Sequence, residues 1–121
     1  MGAKKDRYVA YVGTYTHGTS IGIHIYDLDV ENGTMVERKV VPIKNSSHLV
    51  KSYNKQFLYS ISDEGVEAFK ILEDGELESI NKVGIEGMRG CYVSTDAEDR
   101  FLFVGGYHDG KVTVLDRKSV V

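Results

Sequence analysis

One strand-rich pattern is repeated along this chain, and the repeat constrains the fold more than any other feature. Tyr8-Val9-Ala10-Tyr11-Val12 returns as Phe57-Leu58-Tyr59-Ser60-Ile61 and again as Phe101-Leu102-Phe103-Val104. Val9 to Phe57 is 48 residues, and Phe57 to Phe101 is 44. A second landmark keeps step: the acidic turn Glu31-Asn32-Gly33-Thr34 recurs as Glu73-Asp74-Gly75-Glu76, so Gly33 to Gly75 spans 42. Strand-forming units at a period of about 40 to 50 residues are the signature of propeller blades.

Each unit reads as four short antiparallel strands, because runs of Val, Ile, Tyr and Phe are cut every few residues by Gly, Asn, Asp or Ser. The clearest unit places an inner strand near His48-Leu49-Val50-Lys51 and a second strand from Gln56 to Ile61. Gly65 to Ile71 alternates apolar and polar residues as a third strand should, and Glu76 to Ile80 supplies a weaker outer one. The second strands are nearly all apolar, the composition of a strand buried on both sheet faces. No helical periodicity competes. The fold class is therefore all-β, with about two and a half of seven blades in 121 residues.

A third unit starts at Gly87-Met88-Arg89-Gly90-Cys91-Tyr92-Val93 and continues through Phe101–Val104 to a strand at Lys111–Leu115. There the pattern stops. Asp116-Arg117-Lys118-Ser119-Val120-Val121 equals the in-frame translation of a common sequencing-adapter sequence ending at a stop codon. We therefore expect residues 1–115 to be the N-terminal part of one propeller domain and residues 116–121 to be a non-native tail.

Bulk properties narrow the function classes. A net charge of −3 leaves no basic stripe for nucleic acid, and Lys4-Lys5 is too short to count. One cysteine, Cys91, precludes an internal disulfide framework and suits a reducing compartment, so cytoplasm is the expectation. The first fifteen residues contain no long apolar run, so neither a signal peptide nor a membrane span is expected. Met1-Gly2 lacks the hydroxyl residue at position 6 that myristoylation prefers, since Asp6 stands there. Trp is absent, which weighs against a Trp-Asp-type propeller that binds proteins. The four histidines show no metal-ligand spacing, Ser46-Ser47 lacks a nucleophile elbow, and Gly105-Gly106 is not a dinucleotide fingerprint. Neither metal nor cofactor is expected.

The run Tyr11-Val12-Gly13-Thr14-Tyr15-Thr16, the following Gly22-Ile23-His24-Ile25-Tyr26-Asp27-Leu28-Asp29, and the later Phe101–Val112 closely resemble the lactonase family of seven-bladed propellers. The likeness runs from about Arg7 to Leu115. Its best-known members are 6-phosphogluconolactonases. The resemblance implies hydrolysis of the ring ester of a sugar acid, chiefly 6-phospho-D-glucono-1,5-lactone, in the oxidative pentose phosphate route, without metal. The partner it implies is a small-molecule sugar lactone, with no nucleic acid and no membrane; the oligomeric state is left open. It also implies a site at one mouth of the central channel, beside the starts of the inner strands, with the catalytic histidine beyond residue 121, so that these residues alone are inactive. A non-catalytic binding propeller and a muconate-type lactonising enzyme on the same scaffold are the alternatives.

Three residues are candidates for substrate binding. Arg89 precedes an inner strand, where a guanidinium can hold a phosphate or oxyanion through two parallel hydrogen bonds. His48 and Tyr92 occupy equivalent places, each nine residues before the Phe of the next strand. Family members often carry Pro-Cys-His-Val where this chain has Gly90-Cys91-Tyr92-Val93, so this blade lacks that imidazole. Set against them, His17 and His108 read as turn residues, His24 as a half-exposed strand position, and Cys91 as a buried structural thiol.

Overall fold

The computed structural model describes residues 7–121. Lys4-Lys5, Met1-Gly2 and Asp6, read above, lie outside the described residues. Among the described residues ten strands form three separate antiparallel sheets that follow the repeat. The first holds β1 (Arg7–Val12), β2 (Gly22–Asp29) and β3 (Thr34–Pro42). The second, complete, holds β4 (Leu49–Lys51), β5 (Phe57–Ile61), β6 (Gly65–Ile71) and β7 (Leu77–Gly84) in spatial order β4-β5-β6-β7. The third holds β8 (Tyr92–Thr95), β9 (Phe101–Gly105) and β10 (Val112–Asp116). Each sheet is an up-and-down meander, the local geometry of a propeller blade.

Four strands per unit therefore holds for the middle blade, while the described residues give three to each of the others. The outer strand β7 runs to Gly84, well past Ile80, because its continuation Asn81-Lys82-Val83 pairs with Ala68-Glu67-Val66 of β6 although most of its side chains face solvent. A short helix, α1 (Arg117–Val120), follows β10 and was not anticipated. The side chain of Asp116 caps it by accepting from the Lys118 N–H at 2.9 Å, and Val120 is buried.

The period-two alternation of β5 and β6 explains how the blades stack. Leu58 and Phe69, paired across the two strands, face the first blade and join Ile23 and Ile43 in one apolar core. The next pair, Tyr59 and Ala68, faces the other way and packs with Val93, Leu102 and Val104 of the third blade. Side chains on successive residues point to opposite sheet faces, so one strand serves two interfaces. This is why β5 is apolar throughout. In β1, by contrast, Tyr8 and Val12 are exposed, since among the described residues one of its faces meets another sheet.

The turns at one end repeat as well. Lys55 and Asp99 both adopt left-handed backbone, with φ of 66° and 57°, closing the tight turns before β5 and β9. The acidic landmarks close with Gly33 and Gly75 at φ of 69° and 90°, where glycine avoids the steric cost of that region.

Candidate functional site at the interblade face

Strands alternate in direction, so the connections β1–β2, β3–β4, β5–β6, β7–β8 and β9–β10 all emerge at the same end of the blades. Candidate residues from three blades meet there. The β1–β2 loop carries the Gly-Thr-Tyr-Thr run, and Gly13 lies so close to the Ser46 carbonyl oxygen that an added Cβ would overlap it. That approach lets Ser46 Oγ accept from the Thr14 N–H at 3.2 Å and donate to the Thr14 carbonyl at 3.2 Å.

The loop thus pinned presents Thr16 to Asn45. The Thr16 N–H donates to Asn45 Oδ1 at 2.7 Å, and Asn45 Nδ2 donates to Asp63 Oδ1 at 2.8 Å. Asn45 is buried and has a φ of 54°, a region that Asn tolerates better than most residues. Arg89 Nη1 donates to the same Asp63 oxygen at 3.3 Å, and its guanidinium carbon sits 5.4 Å from the centre of the Tyr15 ring. A chain of polar contacts, Thr16 to Asn45 to Asp63 to Arg89, therefore crosses all three blades. Tyr15 adds a cation–π contact to it.

Arg89 uses one of its five N–H groups on Asp63, which among the described residues is its one hydrogen-bond partner. The remaining donors form a fork of the kind that grips a phosphate or carboxylate through two bonds. His48, immediately before β4, and Tyr92, the first residue of β8, are the other two candidates and are in mutual contact, with ring centroids 4.3 Å apart. His48 Nδ1 accepts from the Val93 N–H at 3.2 Å, so the neutral ring carries its proton on Nε2. Burial holds the imidazole below its ordinary pKa, which favours that neutral form. His48 is therefore equipped to donate a hydrogen bond rather than to act as a base through Nδ1. Tyr92 remains 55% exposed beside it.

The other histidines lie elsewhere. His17 sits in the β1–β2 loop and stacks on Tyr15 at 5.5 Å between centroids. His108 belongs to the β9–β10 loop, where Gly110 takes positive φ. Its neighbour Asp109 reaches beyond the turn: Oδ2 accepts from the Met88 N–H at 2.9 Å and Oδ1 from the Lys111 N–H at 3.2 Å. Those bonds, that from Met88 foremost, depress the carboxyl pKa and tie this loop to the segment carrying Arg89. His24 is tied on both sides, to Ser20 Oγ through Nε2 and to Glu37 Oε1 through Nδ1, each at 2.8 Å. Cys91 is half-buried, with Sγ 3.5 Å from the Gly105 carbonyl. Among the described residues no group of three or more His, Cys, Asp or Glu is arranged to hold a metal ion. No helix among them is long and apolar enough to cross a membrane.

Sequence reasoning singled out Arg89, His48 and Tyr92 but missed Asn45 and Asp63, which organise the site. Asn45 stood in a turn-like Lys-Asn-Ser-Ser run and Asp63 in a three-residue hairpin loop, where polar residues attract no notice.

Stacked antiparallel meanders of three and four strands, with a polar cluster at one end, define a section of a β-propeller. The chain belongs to the family described as Lactonase, 7-bladed beta-propeller, whose sequence profile matches residues 9–120. It is 38% identical to the 6-phosphogluconolactonase of Bacillus subtilis (strain 168), over 90% of this chain and 33% of that protein. Among solved structures, a Bacteroides fragilis NCTC 9343 protein proposed to be a 6-phosphogluconolactonase superposes with a TM-score of 0.85 at 27% identity, covering 96% of this chain and 34% of that one. The periplasmic gluconolactonase of Pseudomonas aeruginosa superposes with a TM-score of 0.82 at 26% identity, covering 91% and 34%. The chain spans about a third of the length of these relatives.

Proposed function

We propose that the complete protein carrying this sequence hydrolyses 6-phospho-D-glucono-1,5-lactone to 6-phosphogluconate, in the pentose phosphate route. Family membership and the 38% identity to a 6-phosphogluconolactonase support the reaction class. The observation that carries the reading to residues is Arg89: a guanidinium anchored by Asp63, backed by Tyr15, and left with a fork of unused donors. Such a group suits the phosphate of the substrate or the oxyanion that forms when water adds to the lactone carbonyl. His48, with its proton on Nε2, and Tyr92 are a second donor pair for the sugar.

In this reaction water attacks the ring carbonyl, the bond to the ring oxygen breaks, and that oxygen leaves as the hydroxyl of the open acid. A base must take the proton of water, and we assign it to a histidine beyond residue 121, in keeping with the family resemblance. Residues 1–121 alone are accordingly inactive. We place the parent protein in the cytoplasm, on the strength of the single cysteine in these 121 residues; cell fractionation checks that assignment.

The test is steady-state hydrolysis of 6-phosphogluconolactone by the full-length protein and its Arg89→Ala and Arg89→Lys variants. We expect Arg89→Ala to raise KM by about tenfold or more, about 1.4 kcal/mol of binding, with Arg89→Lys recovering part of it. A wild-type rate no faster than spontaneous hydrolysis refutes the activity. An unchanged KM in Arg89→Ala refutes the role of Arg89.

A further inference from the structure

Three side chains of the first blade stand in the order hydroxyl, imidazole, carboxylate. Ser20 Oγ lies 2.8 Å from His24 Nε2, and His24 Nδ1 lies 2.8 Å from Glu37 Oε1. Ser20 precedes β2, and Gly22, which separates it from His24 by sequence, has no side chain to hold the two apart. Glu37 reaches the ring from β3. A carboxylate only accepts, so Nδ1 carries the proton of the neutral ring, and the bare Nε2 accepts from the Ser20 hydroxyl.

That is the arrangement in which an imidazole activates a serine: the base touches the nucleophile, and a third group fixes the tautomer of the base. Ser20 Oγ is fixed further by the Gly22 N–H, which donates to it at 3.4 Å, and by Thr14 Oγ1 at 2.6 Å. The N–H donor also stabilises the oxygen as its proton moves away. The His24 side chain is 19% exposed, which shields the ring from competing water. Ser20 borders a cleft of about 720 Å³ between the first two blades, where Ile21, Pro42 and Ile43 supply an apolar wall. Clefts of about 300–1,000 Å³ hold small molecules.

We propose that Ser20 is a nucleophile, activated by His24 and held in register by Glu37, that hydrolyses open-chain carboxyl esters with a short acyl group. Ser20 Oγ adds to the ester carbonyl carbon while its proton passes to His24 Nε2. The bond from that carbon to the alkoxy oxygen then breaks, and the alcohol leaves with the proton. Water adds to the acyl group on Ser20, gives its proton to Nε2, and releases the acid as the proton returns to Ser20 Oγ. The route uses neither Arg89 nor the histidine assigned beyond residue 121, so it stands apart from lactone hydrolysis.

The test is labelling of the full-length protein with an alkyl fluorophosphonate, read by peptide mass spectrometry. We expect a phosphonyl group on Ser20, formed with loss of fluoride. Its rate of formation should fall about a hundredfold or more in His24→Ala and about tenfold in Glu37→Gln. Hydrolysis of p-nitrophenyl acetate should fall about tenfold or more in Ser20→Ala. Hydrogen bonds that only pin the loop leave Ser20 unlabelled, and that result in the wild type overturns the proposal whatever the variants do. Labelling of Ser20 in either variant at the wild-type rate, or ester hydrolysis unchanged in Ser20→Ala, also overturns it. The Glu37 side chain is 47% exposed, so Glu37→Gln keeps the fold even if His24→Ala does not.

Discussion

His24 and Glu37 meet at 2.8 Å because the β2–β3 ladder slips by one residue between Ile25 and Tyr26. Before the slip Ile25 pairs with Lys39; after it Tyr26 pairs with Glu37, leaving Arg38 as the extra residue. In an unslipped ladder Glu37 would oppose Asp27, on the other face of the sheet. The bulge therefore brings a carboxylate to the imidazole and sends Arg38 to Asp27, whose Oδ2 accepts from Nε at 3.2 Å, and to the Asp74 carbonyl of the next blade at 2.7 Å. The middle blade repeats the slip between Ala68 and Phe69. There the corresponding residues are Glu67 and Ser79, also hydrogen-bonded. A double-mutant cycle between His24→Ala and Glu37→Ala, read by urea denaturation of the full-length protein, should give a coupling of roughly 0.5–1 kcal/mol, as for other partly exposed pairs.

Gly13→Ala should destabilise the protein by about 1–3 kcal/mol, the cost of forced overpacking. The new Cβ would overlap the Ser46 carbonyl oxygen, which is backbone and cannot swing aside. Because Thr16 hangs from the same loop, the substitution should also raise KM for the lactone. A melting curve and KM both unchanged from wild type would show that the loop relaxes freely.

Asp99 clamps two blades together, its carboxylate accepting from the Tyr53 N–H at 2.9 Å and the Asn54 N–H at 2.8 Å. Asp99→Ala removes both acceptors and puts a side chain that dislikes left-handed backbone at φ 57°. Hydrogen bonds to a charged group contribute about 1.5–3 kcal/mol, so we expect a loss of roughly 3 kcal/mol by denaturant titration. Asp99→Asn, which tolerates that φ and keeps one acceptor, should lose about half as much.

His48 predicts a pH dependence of stability. Burial lowers its pKa in the folded state, so the unfolded chain takes up the proton more readily. Stability should be fully present above the unfolded value of about 6.5 and decline as pH falls from there towards the lower folded value. His48→Asn should flatten that part of the stability profile between wild-type and variant. Equal slopes for the two proteins below pH 6.5 would contradict the assignment of the neutral imidazole.

Tyr59 is fully buried, and its hydroxyl has no hydrogen-bond partner among the described residues; burial pushes its pKa up to about 12. Replacing an unsatisfied buried hydroxyl with hydrogen at constant ring packing is expected to be neutral or favourable. Tyr59→Phe should therefore raise stability by up to about 1 kcal/mol in denaturant titration. A loss above 1 kcal/mol would mean that the hydroxyl is paired in solution.

The blade repeat was legible because burial on both faces forces an apolar composition on β5, and the alternation Gly65-Val66-Glu67-Ala68-Phe69 marked β6 with its observed bounds. Outer strands were less legible, since exposed residues of β7 carry little pattern beyond Leu77. Arg89, His48 and Tyr92 could be placed near the inner strands by counting residues. The partners that give them chemistry could not: the tautomer of His48 follows from a backbone N–H 45 residues away, and Asp63 meets Arg89 across 26. Bulges escape notice for the same reason, as nothing in Glu37-Arg38-Lys39 announces which residue will be skipped.

Leu58 and Tyr59 are neighbours in the chain and strangers in the core, each committed to a different adjoining sheet. Modular exchange of this segment is therefore governed from both sides. A transplanted middle blade must suit its predecessor through one set of alternate side chains and its successor through the other, so recombination among relatives should succeed when adjacent units travel together.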